Sequence, residues 1–110
     1  MDIQKFIEDW LTASNSFKIE NYIEFYDNEA ILEDSTLGET FTGRSGIIHY
    51  FESYFIGYGT KTTIQKVQIN DNSNVHIDAL FDGDSFKGLN GVFELNLENG
   101  KIKRANCYLI

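Results

Sequence analysis

Residues 75–83 read Val75-His76-Ile77-Asp78-Ala79-Leu80-Phe81-Asp82-Gly83. Val75, Ile77, Ala79 and Phe81 alternate with His76, Asp78, Leu80 and Asp82. A period of two sends successive side chains to opposite faces of a sheet, so this is a strand with one apolar face. The pattern returns downstream. Gly91, Phe93, Leu95 and Leu97 alternate with Asn90, Val92, Glu94 and Asn96; Ala105, Cys107 and Leu109 alternate with Arg104, Asn106, Tyr108 and Ile110. Asn99-Gly100, between these two runs, is a dipeptide that a two-residue hairpin favours. Upstream, Thr62 and Ile64 followed by Val67 and Ile69 make a fourth strand. Its phase slips near Gln65-Lys66, as a β-bulge would produce. Asn70-Asp71-Asn72-Ser73-Asn74 is a turn.

Before about residue 60 the period is 3.6. Ile3, Phe6, Ile7, Trp10, Leu11 and Ser14 fall on one face of a helix over about residues 2–15. Ile19, Tyr22, Ile23 and Tyr26 continue the pattern over about 17–26, after a break at Asn15-Ser16 that offers a cap. Ala30-Ile31-Leu32 predicts a brief strand that turns at Glu33-Asp34-Ser35, and residues 35–43 read as a loop. Gly43-Arg44-Ser45-Gly46 leads into a third helix with Ile47, Ile48, Phe51, Tyr54 and Phe55 on one face. Helices first and antiparallel strands after predict an α+β fold in one domain spanning 1–110. The helices should pack on one face of a curved, mostly antiparallel sheet.

Composition narrows the function classes. The chain has 110 residues, 17 acidic and 9 basic side chains, and a net charge of −8. That balance argues against nucleic acid and anionic membranes, both of which need a basic footprint. Aromatics are abundant, with one tryptophan, six tyrosines and nine phenylalanines, whereas proline is missing. A single Cys107 cannot close an internal disulfide. The acidic, amphipathic start Met1–Trp10 does not resemble a secretory signal, and no apolar run approaches the length of a membrane span. The expectation is a soluble cytoplasmic protein.

Chemistry-bearing motifs are few. His49 and His76 have no second histidine or acid at ligand spacing, so zinc has no support. The Asn70–Asn74 run superficially matches a calcium loop, but Val75 and Phe81 occupy the positions that need Gly and Glu. No phosphate-binding glycine pattern and no nucleophile–histidine relay can be assembled. No metal or organic cofactor is expected. Cys107 sits on the inward phase between Ala105 and Leu109, which suits a small hydrophobe. The outward phase of the sheet mixes His76, Asp78, Glu94, Asn96, Arg104 and Asn106 with Leu80, Val92, Tyr108 and Ile110. Such a half-apolar face suits a contact between two copies, so a homodimer through it is expected.

The order of elements resembles the nuclear transport factor 2-like superfamily, in its SnoaL-like and ketosteroid-isomerase-like branch. The resemblance spans essentially the whole chain. It rests on the stretch Glu24-Phe25-Tyr26-Asp27-Asn28-Glu29-Ala30-Ile31-Leu32-Glu33-Asp34, on the Gly43…Ile47 opening of the third helix, and on Asn99-Gly100-Lys101-Ile102. It implies a cone of three helices against a strongly curved, cystatin-like sheet, with a pocket at the wide end and usually a homodimer. Members include isomerases, polyketide cyclases, dehydratases and non-catalytic binding modules, so the fold alone does not fix an activity.

Residue by residue, the resemblance places Asp34 where the isomerases hold a general base. A carboxylate in an apolar pocket can take a proton from carbon alpha to a carbonyl; an Asp-Ser pair also starts turns, and both readings stand. Trp10 falls where those enzymes place an oxyanion-hole tyrosine, though a tryptophan on a helical stripe reads first as a core residue. Their second donor, an acid, has no counterpart: counting places either Asn90 or Gly91 there, and Asn90 is expected to line the pocket, with a bulge turning it inward against its alternation phase. Tyr26 and Tyr54 are expected at the pocket, as are the inward-facing Phe51, Ile77, Phe93 and Cys107. The implied function is a pocket for a small hydrophobic, carbonyl-bearing ligand, with proton transfer, isomerisation or cyclisation as the reaction. The alternative is a non-catalytic ligand- or protein-binding module of the same fold.

Overall fold

The first helix, α1 (Ile3–Asn15), starts where Asp2 can cap it. The Asp2 carboxylate accepts a hydrogen bond from the Lys5 N–H at 3.0 Å, satisfying one of the donors a helix start leaves free. Ile7, Trp10, Ala13 and Ser14 form its buried stripe. The computed structural model describes all residues 1–110. No helix is long and apolar enough to cross a membrane.

The second helical segment is shorter than its periodicity predicts. Helix α2 covers only Ile19–Tyr22, followed by a 3-10 turn at Ile23–Phe25. Tyr26 has already left the helix, because it opens strand β1 (Tyr26–Asp34). The expected brief strand at residues 30–32 is thus nine residues long. Its register on its neighbour shifts between Tyr26 and Ile31, which hides Asp27-Asn28-Glu29 from an alternation test. The expected loop at residues 35–43 contains a second strand, β2 (Glu39–Thr42), which buries Phe41 and pairs antiparallel with β1. Helix α3 (Gly43–Phe51) runs into a single π turn at Glu52–Ile56, closed by the Gly57 N–H on the Glu52 carbonyl at 2.8 Å.

Strands β3 (Lys61–Ile69), β4 (Asn74–Asp82), β5 (Leu89–Glu98) and β6 (Lys101–Leu109) form the meander read from the period-two pattern. The β3 register shifts between Ile64 and Lys66, at the expected bulge. Asn99 and Gly100 both have positive φ, 52° and 76°, as their tight turn requires. The sheet order is β2-β1-β6-β5-β4-β3. Only β1 and β6 run parallel, and their pairing joins the N-terminal hairpin to the meander.

Three helical segments therefore pack on one face of a six-stranded, mostly antiparallel sheet. Val75, Ile77, Ala79, Phe81, Phe93, Leu95, Ala105 and Cys107 are all buried beneath them, as alternation predicts. Gly91 serves close packing here: a Cβ on it would stand 2.4 Å from the Phe81 ring, so its hydrogen lets that ring lie across β5.

Candidate functional site

Along β1 the buried positions are Tyr26, Ala30, Leu32 and Asp34. The strand's period of two thus carries a carboxylate into the row of inward apolar side chains, where Asp34 is only 8% exposed. Its two oxygens have separate partners. The Leu37 N–H donates to Oδ1 at 3.0 Å, which fixes the turn after the strand. The Tyr50 hydroxyl donates to Oδ2 at 2.8 Å. The turn role and the inward role therefore coexist in one side chain.

Tyr50 comes down from α3 onto the end of β1. Burial drives its phenol well above the usual tyrosine range, and the nearby Asp34 charge adds to this. It is therefore a neutral donor through the physiological range. Cys107 is the register partner of Asp34 on the parallel strand β6. Burial pushes its thiol up to about 12, and the Asp34 charge raises it too, against a partial lowering by Tyr50. It remains a thiol rather than a thiolate, so it packs and does not attack.

These three residues close the inner end of a cavity of about 310 Å³. The β1–β2 turn, the end of α3 with its π turn, the end of β4 and the end of β6 wall it. Tyr54, Phe55, Tyr58, Phe81 and Phe86 contribute rings. The π turn inserts an extra residue per turn, so Tyr54 and Phe55 both reach the cavity alongside Tyr50. Leu37, Tyr58, Leu89 and Leu109 are exposed around the mouth. Asp34 is the one charged side chain in the lining, which is otherwise mostly apolar.

Of the residues expected at the pocket, Asp34, Tyr54 and Cys107 line this cavity. Trp10, Tyr26, Phe51, Ile77 and Phe93 do not; they fill the core beneath it. Tyr22 stacks on Phe51 with centroids 3.9 Å apart, and Trp10 meets Phe93 edge-on at 5.0 Å. The polar tips of this group turn on one another. The Trp10 Nε1–H donates to the Tyr26 hydroxyl at 3.4 Å, and the Tyr22 and Tyr26 hydroxyls lie 2.5 Å apart. Bulky rings thus occupy the depth that a longer cavity would need. Asn90 is exposed on the other side of β5: the β4–β5 register runs unbroken from Asn74↔Asn96 to Phe81↔Leu89, so no bulge turns it inward.

Tyr50 is the site residue that the helical pattern passes over. It lies three residues after the buried Ile47 and beside Phe51, on the flank of the stripe, so its burial was readable but its partner was not. Phe86 sits in the loop between β4 and β5, where no periodicity marks it.

No protein-family model matches the chain, and no curated protein matches it in sequence. Solved structures do match. An epoxide hydrolase/cyclase-like enzyme, SalBIII, of pyran ring formation in the polyether salinomycin superposes with a TM-score of 0.85 at 18% identity, covering 99% of this chain and 93% of the other. A Kribbella flavida protein classed as a ketosteroid isomerase gives 0.84 at 15% identity, covering 96% and 76%. A Sinorhizobium meliloti protein classed as a polyketide cyclase gives 0.83 at 13% identity, covering 94% and 93%. At these identities the likeness is one of architecture. Strand order, helix placement and these superpositions agree that the chain has the cystatin-like, nuclear transport factor 2-like fold shared by ketosteroid isomerase-like and polyketide cyclase-like proteins.

Proposed function

We propose that the cavity binds a small hydrophobic, carbonyl-bearing molecule and that Asp34 acts on it as a general base. The observation that carries this reading is a carboxylate on an inward strand position, held by the Tyr50 hydroxyl inside an otherwise apolar cavity. Asp34 would take the proton from carbon alpha to the carbonyl, and the C–H electron pair would pass to the carbonyl oxygen as an enolate. Return of the proton to another carbon isomerises the ligand. Attack of the enolate carbon on a second carbonyl closes a ring, and the new alkoxide takes the proton back. Thr36, Tyr54 and Tyr58 line the same space, and their hydroxyls are the candidate donors to the developing oxyanion. The Thr36 oxygen accepts from the Leu109 N–H at 2.8 Å, which leaves its own proton free for this. Solved neighbours of this fold include cyclase-like and isomerase-like proteins, which supports the reaction class.

Asp34→Asn should lower turnover of a carbonyl substrate by about 10²–10⁴-fold, the span of general-base catalysis, with the circular dichroism spectrum unchanged. Unchanged turnover removes Asp34 as the base. The second reading, a non-catalytic binding module, draws on the Asp34–Leu37 turn contact, which gives the carboxylate a structural duty. It expects ligand binding without turnover.

On the outer sheet face Val92 is already buried in a single copy, among polar neighbours that include Asp78, His76 and Glu94. The reading includes a homodimer through this face. Leu80→Lys, on the same face, should shift the mass seen by analytical ultracentrifugation toward the monomer; an unaltered mass refutes this surface. A buried lone thiol suits a reducing cytoplasmic setting.

A further inference from the structure

Asp34 is a nearly buried carboxylate without a cation. Its two hydrogen-bond donors, the Tyr50 hydroxyl and the Leu37 N–H, are both neutral. None of the protein's ion pairs includes it; all lie among other residues. No lysine, arginine or histidine lines the cavity. Burying a charge without an opposite charge is costly, and here two neutral hydrogen bonds are all that the chain sets against it.

The walls facing this charge are rings. Seven of the 14 lining side chains are aromatic. Tyr50 and Tyr54 are tilted at 44°, Tyr54 and Tyr58 at 64°, and Phe55 and Phe81 at 82°. Rings set at such different inclinations wall the space from several directions, and a ligand seated among them meets π systems on more than one side. The π face carries the negative end of the ring quadrupole and attracts cations. The chain's net charge of −8 acts in the same direction at long range. The carboxylate and the overall field both repel an anionic ligand and favour a cationic one, and any ring that such a ligand meets face-on adds to this.

We propose that the ligand of this cavity carries a compact hydrophobic ammonium group, a tertiary or quaternary alkylamine seated among the rings with Asp34 as its counter-ion. This rests on the reading of the cavity as the ligand site, and it specifies that ligand's class. It is compatible with Asp34 acting as a base. A C–H flanked by a carbonyl and a cationic nitrogen is acidified by both, and the cation is drawn to the carboxylate that would take the proton.

The test compares choline with 3,3-dimethylbutan-1-ol, which has the same shape but a carbon in place of the charged nitrogen. Titration calorimetry at low salt should give choline at least about tenfold tighter binding to the wild-type protein. Asp34→Asn should remove most of that preference. Tyr54→Leu should weaken choline more than the alcohol, an arm that does not depend on the carboxylate variant folding. Equal or tighter binding of the alcohol overturns the ammonium class while leaving the apolar pocket standing. So does binding of cyclohexanone when neither probe binds. A choline preference that survives both substitutions places the cation elsewhere on the acidic surface and also overturns the proposal. Failure of all three molecules to bind defeats the pocket reading itself.

Discussion

Two clusters in this molecule are built from similar parts and behave differently. Trp10, Tyr22 and Tyr26 bring an indole and two phenols together in the core. Asp34, Tyr50 and Cys107 bring a carboxylate, a phenol and a thiol together at the cavity. In the first, every polar tip has a partner within the cluster, and each residue is almost wholly buried. In the second, a charge remains that neutral donors hydrogen-bond but do not neutralise. The first is closed chemistry that specifies how rings pack; the second is open chemistry that a ligand can complete. Burial alone does not separate them; a charge with only neutral partners does.

Trp10→Ala tests the closed cluster most severely. It should cost about 3–5 kcal/mol, seen as a large fall in the denaturant midpoint, because it removes the largest ring from the core. A cost below about 1 kcal/mol would mean that this region is as open as the cavity. Tyr26→Phe should cost about 1–3 kcal/mol, since it strands the Trp10 and Tyr22 donors in a dry setting. Tyr50→Phe should cost less, about 1 kcal/mol, because the Asp34 oxygen it releases fronts a cavity that water can enter. A larger loss from Tyr50→Phe than from Tyr26→Phe would reverse the comparison. Tyr58→Ser, at the mouth, should stay within about 0.5 kcal/mol in the same assay.

Alkaline titration probes both clusters at once. Burial holds the Tyr26 hydroxyl at about 12, against 10.0 for a free tyrosine, and drives Tyr22 and Tyr50 up as well. Above pH 10 the unfolded chain releases protons that the folded chain keeps, so the unfolded state binds fewer protons there and stability falls with pH. Stability from these groups should be fully present below pH 10 and lost as pH rises toward 12. Melting temperature against pH checks it, and a flat profile from pH 9 to 12 would show that these phenols are not sealed.

Much of the fold is legible in the sequence, and the reason is periodicity. The alternation of residues 75–82 and 91–97, the slip at Gln65-Lys66 and the Asn99-Gly100 turn each report a local backbone state, and each appears where its pattern lies. The N-terminal half is less legible because tertiary contacts override local preference there. Tyr26 fits a helical stripe yet begins a strand, since its parallel partner on β6 is Ile102, far away in sequence. Glu39-Thr40-Phe41-Thr42 is too short to declare itself against its polar neighbours, although Phe41 marks its inward phase. At the site, Asp34 is legible as an acid on the phase of Ala30 and Leu32. Its hold by Tyr50 is not, because a contact between a strand end and a helix flank leaves no spacing to read. The inward phase predicts pocket walls at Phe51, Ile77 and Phe93; packing among the rings fills that space instead.

The position of β6 in the sheet order has a kinetic consequence. It is the last strand in the chain, yet it lies between β1 and β5, and it supplies Cys107 and Leu109 to the cavity. Until it docks, the β1–β2 hairpin has no sheet to join, and Asp34 has no wall at its back. The cavity is therefore made of contacts with high sequence separation, the kind that form late and slowly. During synthesis the ring-lined walls would stay unassembled until residue 109 has emerged, a period in which their apolar surface is open to wrong partners. A ligand that fits the cavity would bind only chains that have completed this step, and would pull the folding equilibrium toward them.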